Sequence, residues 1–505
     1  MPRSSPGAFI AGRIVTPRRP SAEIVSVNPG RTTEVVGRFS VAPALVDDAV
    51  AAAVAAFPGW SGLPLASRAR ILRRFAALVS AERESLARLL TREMGKPLWE
   101  ARQEIELVIA KVAITLGPGL ERVRSIEAAP GATCEFRPKG VLAVIGPFNF
   151  PLHLPNGHIV PALVTGNTVV FKPSEVTPAL ALRYARLLRR AGCPAGVFNV
   201  IVGGAESGAR LAAHPRIDGV LFTGSAAVGC ALLELGARTP GKLLALEMGG
   251  KNAAVVLGDA PLELAVRECL LGAFLTTGQR CTATSRVLVA RSIAPAFIAR
   301  LVGGARRLRI GYGLEREVFM GPLATAAGLA RFERAQGDAR RDGAEVLLAG
   351  GRLDTQRPGF YAAPSIHLVR RPRRASGYQR EEIFGPDVAI STFDDVDEAA
   401  ALAEATPYGL ALAVFTKRRR NLTPFLQRCR VGVLNWNRAT VGASSRLPFG
   451  GQKASGNDRP TALFAAEYCT YPVAMLEAPM GGVHEPLPPG FGGADDAVRR
   501  RRRHG

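Results

Sequence analysis

Residues 140–175, "GVLAVIGPFNFPLHLPNGHIVPALVTGNTVVFKPSE", hold two short apolar runs with a helical stretch between them. "GVLAVIGPFNF" and "NTVVFKPSE" are rich in Val, Ile and Phe and close on Gly or Pro, the pattern of buried strands. Strand, helix, strand implies a parallel pair, because parallel neighbours need a crossover long enough to return over the sheet. The same alternation continues through "GVFNVIVGG", "GVLFTGS" and "KLLALEMGG", separated by "TPALALRYARLLRRAG", "AESGARLAAH" and "AAVGCALLELGAR". The expectation is an α/β fold, a parallel sheet covered by helices on both faces, with ligands beyond the carboxyl ends of the strands.

Upstream, "SRARILRRFAALVSAERESLARLL" reads as a helix with Ile71, Leu72, Phe75, Leu78 and Val79 on one face, and "PLWEARQEIELVIAKVAI" continues similarly. Downstream, a second α/β region runs from about residue 251 to 455. It contains "TTGQRCTATSR", "REEIFGPDVAI" and "LPFGGQKASG". The stretch 479–505, rich in Pro, Gly and Arg, reads as a disordered basic tail.

The 505 residues suit two or three domains, and Gly 54 and Pro 37 are spread along the chain as many strand-to-helix turns require. Seven scattered cysteines offer neither a disulfide framework nor a CxxC pair, so a reducing cytoplasm is expected and no metal site. No apolar run is long enough for a signal peptide or a membrane span. The net charge of +23 suits a solvated basic surface or the attraction of an anion. It comes without an aromatic and basic module, so nucleic acid is not an expected partner.

A lone cysteine is usually a packing residue, but Cys281 stands behind Gly278, Gln279 and Arg280 instead of within an apolar run. Glu247 closes a buried-looking strand, where a carboxylate is costly unless partnered or functional. Asn149 is an amide donor at a strand end, suited to an oxyanion or to a plain turn. Gly224, Ser225 and Gly229 lie where a strand hands over to a helix, so backbone amides face a possible pyrophosphate, although this is not the GxGxxG fingerprint. Lys172 and Glu175 sit at another strand end, as a surface ion pair or as partners of ribose hydroxyls. A carboxylate there favours NAD over NADP.

Taken together, "FNFP", "GNTVVFKPSE", "FTGS", "LEMGGKN", "GQRCT", "EEIFGP" and "PFGGQKASG", in this order, resemble the aldehyde dehydrogenase superfamily up to about residue 478. Within it, "HLPNGHIVPAL", "LNWN" and "ASGNDRPTALFAAEYCTYP" look like the branch that oxidises a succinylated glutamate semialdehyde in bacterial arginine breakdown. The resemblance implies a Rossmann-like NAD-binding domain (1–119 and 139–250), a second α/β catalytic domain (251–455) and a small β oligomerisation arm (120–138 and 456–478). It implies a homodimer or homotetramer, with "TCEFRPKG" and "EYCTYPVAML" as pieces of the arm.

By the same resemblance Cys281 is the nucleophile, Asn149 and the Cys281 amide hold the oxyanion, and Glu247 activates water. Lys172 and Glu175 go to the adenosine ribose of NAD, Gly224, Ser225 and Gly229 to its turn, and Glu382 and Phe384 to the nicotinamide ribose. Two departures stand out. A second glutamate found in many relatives is replaced by the run "RPTALF", and His158 stands where many have lysine, for helix packing or for proton handling. The small residues Gly442 to Ser445 suggest a roomy, polar tunnel, with Arg438, Ser445 and Arg446 as candidates to receive an anionic aldehyde. Another aldehyde remains an alternative, and so does a non-catalytic structural or nucleic-acid-binding protein that uses the arginine tail.

Overall fold

The computed structural model describes residues 5–370 and 376–478, so the tail read above as disordered lies outside the described residues. Within them, residues 5–123 and 137–471 form one compact unit, and residues 124–136 and 472–478 a second, small one.

The first unit holds two seven-stranded sheets. One comprises β1 (Ala8–Ile10), β2 (Arg13–Val15), β3 (Val141–Ile145), β4 (Thr168–Lys172), β5 (Phe198–Ile201), β6 (Gly219–Thr223) and β7 (Leu243–Glu247), in the order β7-β6-β3-β4-β5-β1-β2. Strands β3 to β7 are parallel, with Ile145 beside Lys172 and Thr223 beside Glu247, so their carboxyl ends share one edge. The β1–β2 hairpin adds antiparallel to β5. The order reverses between β3 and β6, and a crevice opens at such a reversal because the two flanking crossovers leave toward opposite faces. The apolar runs anticipated as strands are these strands, and they are buried because helices cover both faces.

The second sheet comprises β8 (Asn252–Val256), β9 (Thr284–Ala290), β10 (Glu345–Leu348), β11 (Ser365–Leu368), β12 (Asp387–Phe393), β13 (Ala411–Phe415) and β14 (Val433–Trp436). Its order is β10-β11-β12-β9-β8-β13-β14, parallel except for β10. In the second unit, the strands Ile126–Ala129, Ala132–Pro138 and Thr470–Leu476 form a three-stranded sheet with 132–138 in the middle. No single helix among the described residues is long and apolar enough to cross a membrane.

One sequence expectation changes. The long helical stretch after residue 66 is two helices, Leu65–Ala81 and Arg83–Met94, interrupted at Glu82. The Glu82 carboxylate takes Arg183 and Arg190 from the helix Pro178–Arg190, so a tertiary ion cluster marks the break without any Gly or Pro.

Two helices bear directly on the site: α1 (Leu98–Ile114) and α2 (His153–Val164). The buried face of α1 carries Ala101, Ile105, Val108 and Val112, but also Glu100, Glu104 and Lys111. Glu104 Oε1 accepts from the backbone N–H of Leu152 (3.0 Å) and of His153 (3.1 Å), and so caps α2 from outside. Its Oε2 accepts from Lys96 Nζ at 2.6 Å, both side chains being fully buried. Lys96 in turn lies 3.8 Å from the centre of the Phe150 ring. This one carboxylate therefore fixes the loop between β3 and α2, where Asn149 sits. Glu104→Ala should cost about 3–5 kcal/mol, since it strands a buried ammonium. Thermal melting should rank Glu104→Ala well below Glu104→Gln, and equal melting temperatures would contradict the assignment.

Candidate active site

The segment before Cys281 is conformationally costly. Thr276 (φ 55°), Thr277 (φ 57°) and Gly278 (φ 70°) occupy the left-handed region in succession, and two of them are β-branched. Glu100 of α1 holds the turn: Oε2 accepts from Thr276 N–H (3.0 Å), while Oε1 accepts from Thr276 Oγ1 (2.8 Å) and the Arg280 guanidinium (2.7 Å). Gly278 is required for contact as well as for conformation, because a Cβ there would lie 2.1 Å from the Gly385 carbonyl oxygen. Gln279 Oε1 accepts from Ala324 N–H at 3.0 Å. Arg280 lies over Phe150, 5.0 Å from the ring centre. Beyond Arg280, Asn252 Nδ2 donates to the carbonyls of Cys281 (2.7 Å) and Ala283 (2.9 Å), tying the loop to the start of β8.

Asn149 and Cys281 are brought together through Gln279, whose carbonyl accepts from Asn149 Nδ2 at 2.9 Å. The Cys281 thiol is pushed up to about 12 by burial and by the charges of Glu382 and Glu247. Glu247, at the end of β7, is 4% exposed, and its Oε2 is buried without a hydrogen-bond partner among the described residues. Burial lifts its carboxyl well above the ordinary range, against backbone hydrogen bonds from Thr461 and Gly451. Thr461 belongs to the run "RPTALF", so the segment that lacks the second glutamate supplies a backbone donor to Glu247 instead.

Glu382 Oε1 accepts from Gly250 N–H at 3.0 Å, and burial raises its carboxyl to about 7. A Cβ at Gly249 would lie 2.1 Å from Glu382 Oε2 and one at Gly250 2.6 Å from the Cys281 carbonyl oxygen, which explains the glycine pair after Glu247 and Met248. Phe384, at φ 55°, sets its ring edge-on to Phe148 of the Asn149 loop at 5.7 Å.

Lys172, Glu175, Gly224, Ser225 and Gly229 line up along the carboxyl edge of the first sheet. Lys172 is almost buried, and its Nζ lies 3.7 Å from the exposed Glu175. Ser225 caps the helix α3 (Ala226–Gly236), its Oγ accepting from Val228 N–H at 3.4 Å. A Cβ at Gly224 would meet the Phe222 ring at 2.4 Å, and one at Gly229 would meet Met248 Sδ at 2.1 Å. A close-packed helix start for an anion, beside a carboxylate for hydroxyls, is a donor set that suits a dinucleotide.

A cavity runs from Cys281 to a wall of α1 and α2 residues, Leu107, Lys111, His153 and Gly157, and is closed by Gly442 to Ser445, Phe449 and Thr461. Ser445 lines it. Arg438 and Arg446 do not: both are exposed, Arg438 beyond the end of β14 and Arg446 after the Ser444 turn, with Arg446 N–H donating to Ser444 Oγ. Of the three residues expected to receive an anionic aldehyde, the cavity wall therefore holds Ser445 alone. His158 is buried, its Nδ1 2.8 Å from the Tyr468 hydroxyl oxygen and its Nε2 3.3 Å from Thr223 Oγ1. Burial, with the charge of Lys111, lowers it to about 3, so it packs as a neutral ring.

Sequence reasoning missed Glu100, Glu104 and Lys111. Their signal was present: charges on the same helical face as Ala101, Ile105, Val108 and Val112, where an amphipathic helix should carry none.

The aldehyde dehydrogenase family model matches residues 16–473. An N-succinylglutamate 5-semialdehyde dehydrogenase of Cronobacter sakazakii is 44% identical over 467 residues, 90% of this chain and 93% of that protein. The crystal structure of an NAD-dependent aldehyde dehydrogenase from Sinorhizobium meliloti superposes with a TM-score of 0.89 at 32% identity, covering 97% of both chains. A mutant aldehyde dehydrogenase of Pseudomonas syringae in complex with NAD+ and octanal also gives 0.89, at 33% identity, covering 95% of this chain and 98% of that one.

A thiol held near 12 is almost wholly protonated at neutral pH. Iodoacetamide labelling of Cys281 in cofactor-free protein, followed by peptide mass spectrometry, should therefore accelerate about tenfold per pH unit from pH 7 to 9. A plateau at or below pH 8 would contradict this electrostatic picture.

Proposed function

The chain belongs to the aldehyde dehydrogenase family, and from that premise we propose that it oxidises N-succinylglutamate 5-semialdehyde to N-succinylglutamate with NAD, in arginine breakdown. The observation that carries the chemistry is the partnerless buried oxygen of Glu247 beside a cysteine set on a rigid, strained loop.

In this reading Cys281 loses its proton and its sulfur adds to the aldehyde carbon, giving a thiohemiacetal. The Asn149 amide and the Cys281 backbone N–H hold the oxyanion, a contribution worth about 100-fold or more in kcat. NAD, when bound, supplies the hydride acceptor. Glu175 and Lys172 receive the adenosine ribose, Gly224, Ser225 and Gly229 leave room for the pyrophosphate, and Glu382 with Phe384 orients the nicotinamide ribose. The thioester left on Cys281 is hydrolysed by water whose proton passes to Glu247. The raised affinity of that carboxyl for protons suits it to this step. Ser445 offers a hydroxyl to the substrate from the cavity wall.

A homodimer or homotetramer joined through the small three-stranded unit, in the cytoplasm, completes the proposal. Seven free cysteines are in keeping with a reducing compartment.

The test is NADH formation across a panel of aldehydes, with the succinylated semialdehyde preferred and no turnover by Cys281→Ala. Glu247→Gln should give a burst of NADH near one per active site, followed by a steady state about 100-fold slower than the parent. Loss of burst and steady state together would remove Glu247 from the hydrolytic step.

A further inference from the structure

We propose that Lys111 Nζ is the anchor for a carboxylate of the aldehyde substrate, which makes this residue of α1 a specificity determinant of the cavity. The inference rests on the aldehyde-oxidation reading above and deepens it by placing the charge that selects an anionic substrate.

Three observations converge. Lys111 is 4% exposed and lines the cavity that Cys281 also lines, yet among the described residues it has no hydrogen-bond or ion-pair partner. A buried ammonium without a partner is costly, and is retained where a ligand supplies the counter-charge. The other basic residues of the lining are already accounted for. Arg280 is paired with Glu100 at 2.7 Å. His153 is held neutral, near 3, by burial and by the charges of Lys111 and Lys96. The lining contains no Asp or Glu, so Lys111 leaves the cavity with one uncompensated positive charge. Finally, His153, which lines the same wall, keeps its Nδ1 buried and without a hydrogen-bond partner among the described residues.

Geometry permits the approach. Gly157 lies beside Lys111, and even a Cβ there would only be in ordinary contact with Nζ at 3.7 Å, so the ammonium is not crowded on that side. Burial lowers Lys111 only to about 8, which leaves it mostly charged at neutral pH. Lys111 and Cys281 line the same cavity, so one molecule in it can direct its carboxylate to the ammonium and its aldehyde to the sulfur.

Lys111→Met keeps the length of the side chain and removes the charge, and melting temperature controls for folding. The variant should raise KM for N-succinylglutamate 5-semialdehyde roughly 10- to 100-fold. Its KM and kcat for butanal should change little. Lys111→Arg should recover part of the affinity. Calorimetric titration with N-succinylglutamate, which involves no turnover, should show the same loss in Lys111→Met. Equal losses for the anionic and neutral aldehydes, or unchanged binding of N-succinylglutamate, would overturn the anchor while leaving aldehyde oxidation intact. A parent enzyme that oxidises no aldehyde with NAD would overturn the reading itself and the anchor with it.

Discussion

The pairing of Glu100 with the turn at Thr276–Gly278 is the constraint on which the site depends. Left-handed backbone at two successive β-branched residues costs on the order of 1–3 kcal/mol each, and persists only where neighbours over-determine it. Here one carboxylate takes a backbone amide, a hydroxyl and a guanidinium from that turn. Cys281 is thereby presented from a loop whose conformation is set by a helix more than a hundred residues away in sequence. Asn252 and Gln279 fix the same loop from its other sides. Preorganisation of this kind lets binding place an aldehyde against the sulfur without first ordering the backbone.

The same helix organises three further features. Glu104 caps α2 and neutralises Lys96, and so sets the Asn149 loop. Lys111 faces the cavity. Charged residues on the buried stripe of α1 therefore link the start of α2, the Cys281 loop and the cavity wall within one element. Around Cys281 the electrostatics oppose a resting thiolate: burial and two carboxylates keep the proton on sulfur. A positively charged group arriving beside the thiol would reverse that balance.

Much of the fold was legible because the parallel strands are buried on both faces and so appear as continuous apolar runs closed by turn residues. The break at Glu82 was not, since an ion cluster with Arg183 and Arg190 leaves no local mark in sequence. At the site, glycines and short motifs announced Cys281, Glu247 and Glu382, whose environments demand particular residue types. Gly249 and Gly278 show why: a Cβ at either would strike Glu382 or the Gly385 carbonyl. The substrate end was the least legible part, because arginine is abundant and mostly solvated in this chain. Arg438 and Arg446 follow that rule, whereas Lys111 was hidden in what looked like an ordinary amphipathic helix.

The central claim is that Cys281 carries the acyl group between oxidation and hydrolysis. Peptide mass spectrometry of Glu247→Gln, acid-quenched during turnover of N-succinylglutamate 5-semialdehyde with NAD, tests it most directly. The account predicts an N-succinylglutamyl thioester on the peptide containing Cys281 and on no other. An unmodified Cys281 under steady turnover, or an adduct confined to another cysteine, would contradict it.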